Sequence, residues 1–170
     1  MTQTKKQKLI AETIEKEKRQ LFCYACYRLG DTNEAEDIMQ DLFITLCTTS
    51  GVTENIKNLK SYIFRCLSNK CNTLLRSRQK LQIIDIESKE VSEKEDYQPT
   101  NFEQEYTLIN KLLSIIPQEQ SEVIRLHIHG EKTFREIADI LEIPESSVKS
   151  RYRYGIEKLR REIKNSLITH

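Results

Sequence analysis

TFREIADILEIPESSVKSRYRYGIEKLRR, residues 133–161, decides the fold. Thr133 stands where a helix N-cap is wanted, and Glu136 follows at the capping-box spacing, in which each side chain answers the other's backbone N–H. Ile137, Ala138, Ile140 and Leu141 then fall on one face of a short helix. Glu142-Ile143-Pro144 makes a tight turn, with Ile143 placed to plug the core between two helices. The next helix buries Val148, Tyr152, Ile156 and Leu159. Turning each residue by about 100° leaves Ser147, Ser150, Arg153 and Tyr154 facing away from that core, with Lys149 and Arg151 on the flanks. A short helix, a tight turn and a basic second helix form a helix-turn-helix, whose second helix enters the major groove of DNA. Arginine can take guanine bidentately, hydroxyls and tyrosines reach base edges or phosphates, and lysine fixes register on the backbone. The competing reading is a three-helix bundle with a solvated basic face.

Immediately upstream, PQEQSEVIRLHIHG (117–130) reads as a helix opened by Pro117 and ended by Gly130. Glycine and proline are scarce, 4 and 3 in 170 residues, so each can be read as punctuation. The N-terminal part divides into three helices. The first covers about residues 5–29, up to Gly30. The second starts at Asp31 or Thr32 and runs to about Thr48, with Ala35, Ile38, Met39, Leu42, Phe43, Leu46 and Cys47 as its apolar stripe. A loop over 49–58 precedes the third, about Leu59 to Gln79. Residues 79–105 carry 3 Lys/Arg against 8 Asp/Glu and lose the helical period. The expected fold is therefore all-α: two small helical domains, 1–81 and 102–170, joined by a flexible acidic linker over 82–101.

Composition excludes much else. The net charge is +1 with 31% charged residues, too balanced for a protein that coats DNA by electrostatics alone. No apolar run approaches membrane-spanning length and the N-terminus lacks a signal-peptide core, so a cytoplasmic protein without membrane insertion is expected. Five scattered cysteines read as reduced thiols. Cys23 and Cys26 form a C-x-x-C inside an amphipathic helix, and Cys66 and Cys71 are further thiols that a metal site would need. Small core residues are the simpler reading. His127 and His129 point to different helix faces. No phosphate loop, nucleophile elbow or carboxylate pair is present, so no catalytic residue, cofactor or metal is expected.

Two polar faces remain. Asp37, Gln40 and Asp41 share the side of the second helix opposite its apolar stripe. Arg65, Asn69, Asn72 and Arg76 line one face of the third, offering amides and guanidinium groups that can follow a single nucleic-acid strand while extruded bases enter pockets nearby. The competing readings are an ordinary acidic face near a helix start and a solvated helix face beside core aromatics Tyr62 and Phe64.

These segments together resemble a family. Ile116-Pro117, Glu136-Ile137-Ala138, Ser147-Val148-Lys149-Ser150-Arg151 and Leu159-Arg160 resemble the –35-binding domain of sigma factors, above all the extracytoplasmic-function (ECF) group of the sigma-70 family. Response-regulator output domains share part of that pattern. Ala35-Glu-Asp-Ile-Met-Gln-Asp-Leu-Phe43 resembles the family's signature on the helix that docks on core RNA polymerase, and SYIFRCLSNKCNTLLRSRQK (61–80) resembles its –10 segment. Ser121 stands where an arginine is usual, Tyr62 for tryptophan and Thr73 for aspartate. The resemblance implies a non-catalytic subunit that directs polymerase to promoters. Asp37, Gln40, Asp41 and Phe43 would meet the β′ coiled coil, with Phe43 packing, and Tyr62, Arg65, Asn69, Asn72 and Arg76 would handle the –10 strand. Ser147, Lys149, Ser150, Arg151, Arg153 and Tyr154 would read the –35 duplex, while the β flap, promoter DNA and an anti-sigma factor complete the implied partners. The alternative is a stand-alone helix-turn-helix regulator that binds its operator as a dimer.

Overall fold

The computed structural model describes residues 3–49, 58–87 and 100–168. Among these residues there are seven α-helices and no strand. Helix α1 (Gln3–Leu29) packs along α2 (Thr32–Thr48) and α3 (Leu59–Glu87), burying Leu21, Tyr24, Ala35, Leu42, Leu46, Phe64 and Leu67 between them. Asp31 caps α2, accepting from the backbone N–H of Asn33 at 2.8 Å and Glu34 at 3.1 Å. Such a cap contributes about 1 kcal/mol. Gly30 precedes it with φ +72°, the left-handed conformation that ends a helix, and the Tyr106 ring lies so close that no Cβ would fit.

Two boundaries differ from expectation. Helix α3 continues past Gln79 to Glu87, so residues 82–87 of the expected linker are helical. Nothing in LQIIDIE breaks a helix, and the turn is kept although Leu81 and Ile83 stay exposed. Thr100, also assigned to the linker, is the N-cap of α4 (Asn101–Leu113), in a capping box with Glu103. Residues 88–99, and residues 50–57 of the expected loop, lie outside the described ones.

The C-terminal block follows the sequence closely. Helix α5 (Gln118–Ile128) starts after Pro117, and α6 (Phe134–Leu141) is closed by the Thr133–Glu136 capping box with both bonds at 3.1 Å. Glu142 takes φ 56° to turn the chain into α7 (Glu145–Ile168). Ile137, Ile140 and Val148 are fully buried, with Ile143 and Tyr152 packed against them.

The two blocks are not separate bodies. The apolar cluster of α1–α3 runs on without a break through Val123, Leu126, Ile137, Ile140 and Val148. The molecule is closed, with α3 against α6 and α1 against α5.

Candidate nucleic-acid interface

The outer face of α7 stands clear of the closed packing. Ser147, Ser150, Arg151 and Tyr154 line a shallow hollow of about 330 Å³ together with Gln120 and Ser146. Tyr154 is 52% exposed, and the Arg153 guanidinium lies over its ring, 5.0 Å from the centroid. That stacking keeps an aromatic plane and a fork of donors together on the surface. Lys149 pairs with Glu145 at 3.6 Å, one turn back, and Arg151 with Glu119 of α5 at 3.9 Å. Exposed pairs at such distances are worth little, so both cations can exchange a carboxylate for a phosphate. Of the six residues expected to read duplex DNA, four thus line one hollow, Arg153 joins them through Tyr154, and Lys149 lies on the flank beside Glu145.

The strand-following face of α3 is divided. Asn69 is exposed and lines an open hollow of about 430 Å³ at the α2–α3 junction, with Ile38, Asp41, Lys70 and Thr73. Arg65 is engaged across the block boundary: its Nε donates to the carbonyl of Ile140 at 2.9 Å and its Nη2 to that of Asp139 at 2.6 Å, while Nη1 pairs with Glu142 at 3.3 Å. A cation at the end of α6 meets carbonyls that the helix leaves unpaired. Asn72 accepts from the buried Arg28, and the Arg76 Nε approaches the Asn72 carbonyl at 3.4 Å. Tyr62 is half-buried against the core cluster. In the closed molecule this face is therefore partly occupied by the chain itself.

On α2, Asp37, Gln40 and Asp41 are exposed, as the helical period requires. Asp41 is held by Lys70 of α3 at 2.7 Å. Phe43, counted in the apolar stripe from the sequence, is 40% exposed and belongs to neither core cluster. Ile44 beside it is 59% exposed, and sequence reading missed it. The outer side of α2 is thus an acidic face that also carries two apolar side chains, a composition suited to a protein partner rather than to water alone.

Sequence reading also missed the polar contacts that hold the blocks together. Glu122 of α5 accepts from the Tyr24 hydroxyl at 2.5 Å and from the Ser68 hydroxyl at 3.0 Å, and pairs with Arg28 at 3.3 Å. Burial and the Glu122 charge push the Tyr24 phenol well above its ordinary range, so it is a donor. Lys132, almost fully buried, reaches Glu17 of α1 at 2.7 Å and lies over the Phe64 ring. Lys60 of α3 bridges Glu17 and Glu136. The visible signal was a pair of cations, Arg28 and Arg125, at positions that helical periodicity gives to the interior; Lys132, in the turn between α5 and α6, carried no such signal.

Cys23, Cys26, Cys66 and Cys71 are free thiols. Burial pushes Cys26 to about 11 and Cys71 to about 12, far from reactive thiolates. Among the described residues no group of three His, Cys, Asp or Glu side chains is placed to hold a metal, and no helix is long and apolar enough to cross a membrane.

Family comparisons accord with this geometry. Residues 13–81 match Sigma-70 region 2, and residues 112–161 match Sigma-70, region 4. The chain belongs to the sigma-70 family. The ECF RNA polymerase sigma factor SigW of Bacillus subtilis (strain 168) is 27% identical over 153 residues, covering 82% of this chain and 81% of its own. Two solved structures share the fold. CnrH in complex with the cytosolic domain of CnrY superposes with a TM-score of 0.69 at 16% identity, over 96% of this chain and 92% of its own. The sigma factor RpoE in complex with the anti-sigma factor NepR from Bartonella quintana gives 0.58 at 21% identity, over 85% of this chain and 89% of its own. The protein is an ECF-type RNA polymerase sigma factor, and sigma factors are non-enzymatic regulators of transcription.

The closed form of this sigma factor carries a pH dependence. His129 stacks on Tyr27 with ring centroids 4.0 Å apart and planes 3° from parallel. Burial first, and then the positive charge of Arg125, hold its pKa down at about 4 against an ordinary 6.5, with Glu105 opposing. Above pH 6.5 the imidazole is neutral whether stacked or released, and the packing is at full strength. Between 6.5 and about 4 the released ring binds a proton that the stacked ring does not, so stability falls with pH. The slope is at most about 1.4 kcal/mol per pH unit, and less because solvent screens the ring edge. The urea midpoint should decline through this window, and His129→Phe should flatten the decline.

Proposed function

We propose that this sigma factor works through three surfaces. The outer side of α2, with Asp37, Gln40, Asp41, Phe43 and Ile44, docks on core RNA polymerase. Its carboxylates meet basic groups of the β′ coiled coil, and its two apolar side chains supply the desolvated centre of the contact. Arg65, Asn69, Asn72 and Arg76, with Tyr62, follow the –10 strand, and the hollow beside Asn69 is wide enough to take one extruded base. Ser147, Lys149, Ser150, Arg151, Arg153 and Tyr154 read the –35 duplex, with the β flap holding this block over the DNA. Residues 1–81 and 102–170 act as the two functional blocks. The protein works in the cytoplasm and adds no catalytic group of its own.

The observation that carries this reading is the contrast between α7 and α3: the duplex-reading face is open, while Arg65 is spent on the carbonyls of Asp139 and Ile140. A chain in this state can meet a duplex yet cannot follow a melted strand, so opening must accompany assembly with polymerase. An anti-sigma factor fits as a partner that prolongs the closed state, since the two relatives of the same fold were solved with NepR and with CnrY.

Run-off transcription with purified core polymerase on fragmented genomic DNA of the source organism tests the proposal. Discrete new transcripts should appear with the wild type. Asp37→Ala removes one exposed docking charge and should lower their yield at limiting polymerase about tenfold. Absence of transcripts, with polymerase-independent binding of a dimer to a DNA site, would favour a helix-turn-helix regulator.

A further inference from the structure

Behind the Glu122 contact, the C-terminal half of α3, α4 and the start of α5 enclose a cleft of about 850 Å³. Arg28, Arg76, Arg78 and Arg125 line it, and among the described residues no aspartate or glutamate does. Two of the four charges are answered from outside the cleft, Arg28 by Glu122 and Arg78 by Glu34. Arg76 and Arg125 have no carboxylate partner among the described residues. Arg125 is the more telling, being only 8% exposed. Its guanidinium donates to the Ser121 hydroxyl at 3.3 Å and the Asn110 amide oxygen at 3.2 Å, and its Nε has no partner. Burial and then the nearby Arg28 lower its pKa, and the Glu122 charge, already paired with Arg28, opposes them only in part. A buried, unpaired guanidinium is costly, and an anion beside it relieves that cost.

We propose that this cleft binds a small anion carrying two or more phosphate groups, and that the bound anion holds the sigma factor closed. The chemistry selects that class. Two guanidinium groups without an ion-pair partner among the described residues suit an anion of two or more negative charges, and arginine forks match phosphate oxygens bidentately. Exposed amides at Gln82 and Gln118 add neutral donors at the rim, and Gln118 is the first residue of α5, a helix end that favours negative charge. The volume lies within the range of sites for nucleotide-sized ligands. The cleft exists only while α3 faces α4 and α5, so its ligand binds the closed form alone and shifts the population toward it. It also engages Asn72 and Arg76, two of the residues assigned to the –10 strand. This last consequence rests on the function proposed above, whereas the binding does not.

Calorimetric titration of the full chain with sodium tripolyphosphate, with ATP and with sulfate, at one ionic strength, tests the site. Tripolyphosphate should bind one per chain, about a hundredfold tighter than sulfate. Arg125→Gln should weaken it about tenfold, and so should Gln82→Glu, which sets a carboxylate on the exposed rim and keeps the test valid if the first variant folds poorly. ATP binding more tightly than tripolyphosphate would identify a nucleotide as the source, and equal binding an inorganic phosphate chain; both support the site. Equal affinity for sulfate and tripolyphosphate, insensitivity to both substitutions, or capture of a glutamate-rich peptide instead would overturn it. Saturating tripolyphosphate should also lower run-off transcription by wild type more than by Gln82→Glu. Binding without that difference would overturn the claim that the anion holds the molecule closed, while leaving the sigma activity itself established by the transcripts.

Discussion

Glu122→Ala is expected to open the molecule and to raise promoter-directed transcription when core polymerase is limiting. In the closed form the Glu122 carboxylate is the shared acceptor for the Tyr24 and Ser68 hydroxyls and the counter-charge of Arg28, whose side chain is 3% exposed. Removing it leaves a buried cation and a buried phenol without their acceptor. Breaking one partner of a buried ion pair costs about 3–5 kcal/mol. That cost falls on the closed form alone, because in an open chain Arg28 and Tyr24 regain water. The closed-to-open ratio should therefore drop by a factor of about a hundred or more. Other contacts between the blocks, among them Lys132 to Glu17, Lys60 to Glu136, Arg65 to the end of α6 and the shared apolar cluster, oppose opening but do not replace this carboxylate. X-ray scattering should report a larger radius of gyration, and hydrogen exchange should accelerate in α5 and α6. Glu122→Gln keeps acceptors for the two hydroxyls and loses only the charge, so its effect should fall between. Wild-type scattering and wild-type transcription from the alanine variant would show that closure does not depend on this carboxylate.

The parts of the fold legible in the sequence are those set by neighbours along the chain. Asp31 and Thr133 cap helices because a short acceptor lies just ahead of free backbone N–H groups, and the apolar periods of α2, α6 and α7 follow from 3.6 residues per turn. The exposure of Lys149, Arg153 and Tyr154 on α7 follows from the same period. Composition misled at 82–87, where acidic residues further on made a helical turn look like linker. Phe43 misled because a residue at the edge of a stripe is buried or exposed according to what packs beside it, which the period alone does not give. Nothing local announces that Glu122 meets Tyr24, Arg28 and Ser68, from residues 54 to 98 positions away. Such contacts are decided by tertiary packing, which neither local periodicity nor the family signatures describe.

The paired change Arg151→Ala, Arg153→Ala should separate promoter choice from polymerase binding. Both side chains lie on the open face of α7, and neither supports the core: Val148 and Tyr152 do that on the opposite side. Helix content should therefore be unchanged. Arg153 is stacked on Tyr154, so its loss removes a positioned donor and also frees the ring that held it. A guanidinium reading a base edge contributes about 1–3 kcal/mol, and two on one face lose about a hundredfold or more in affinity for a –35 duplex. If both contacts reach bases, the loss should be large on the preferred sequence and small on scrambled DNA, so that discrimination collapses. If they reach phosphates, binding should weaken alike on both, and the slope of log affinity against log salt should shallow by about one per lost contact. Lys149→Ala serves as the internal standard for the second case, being an exposed cation already shared with Glu145. Core polymerase should still bind the double variant with wild-type affinity, because the proposed docking face on α2 is untouched. A double variant with undiminished duplex affinity and discrimination would place –35 reading somewhere other than the face that residues 147–154 present.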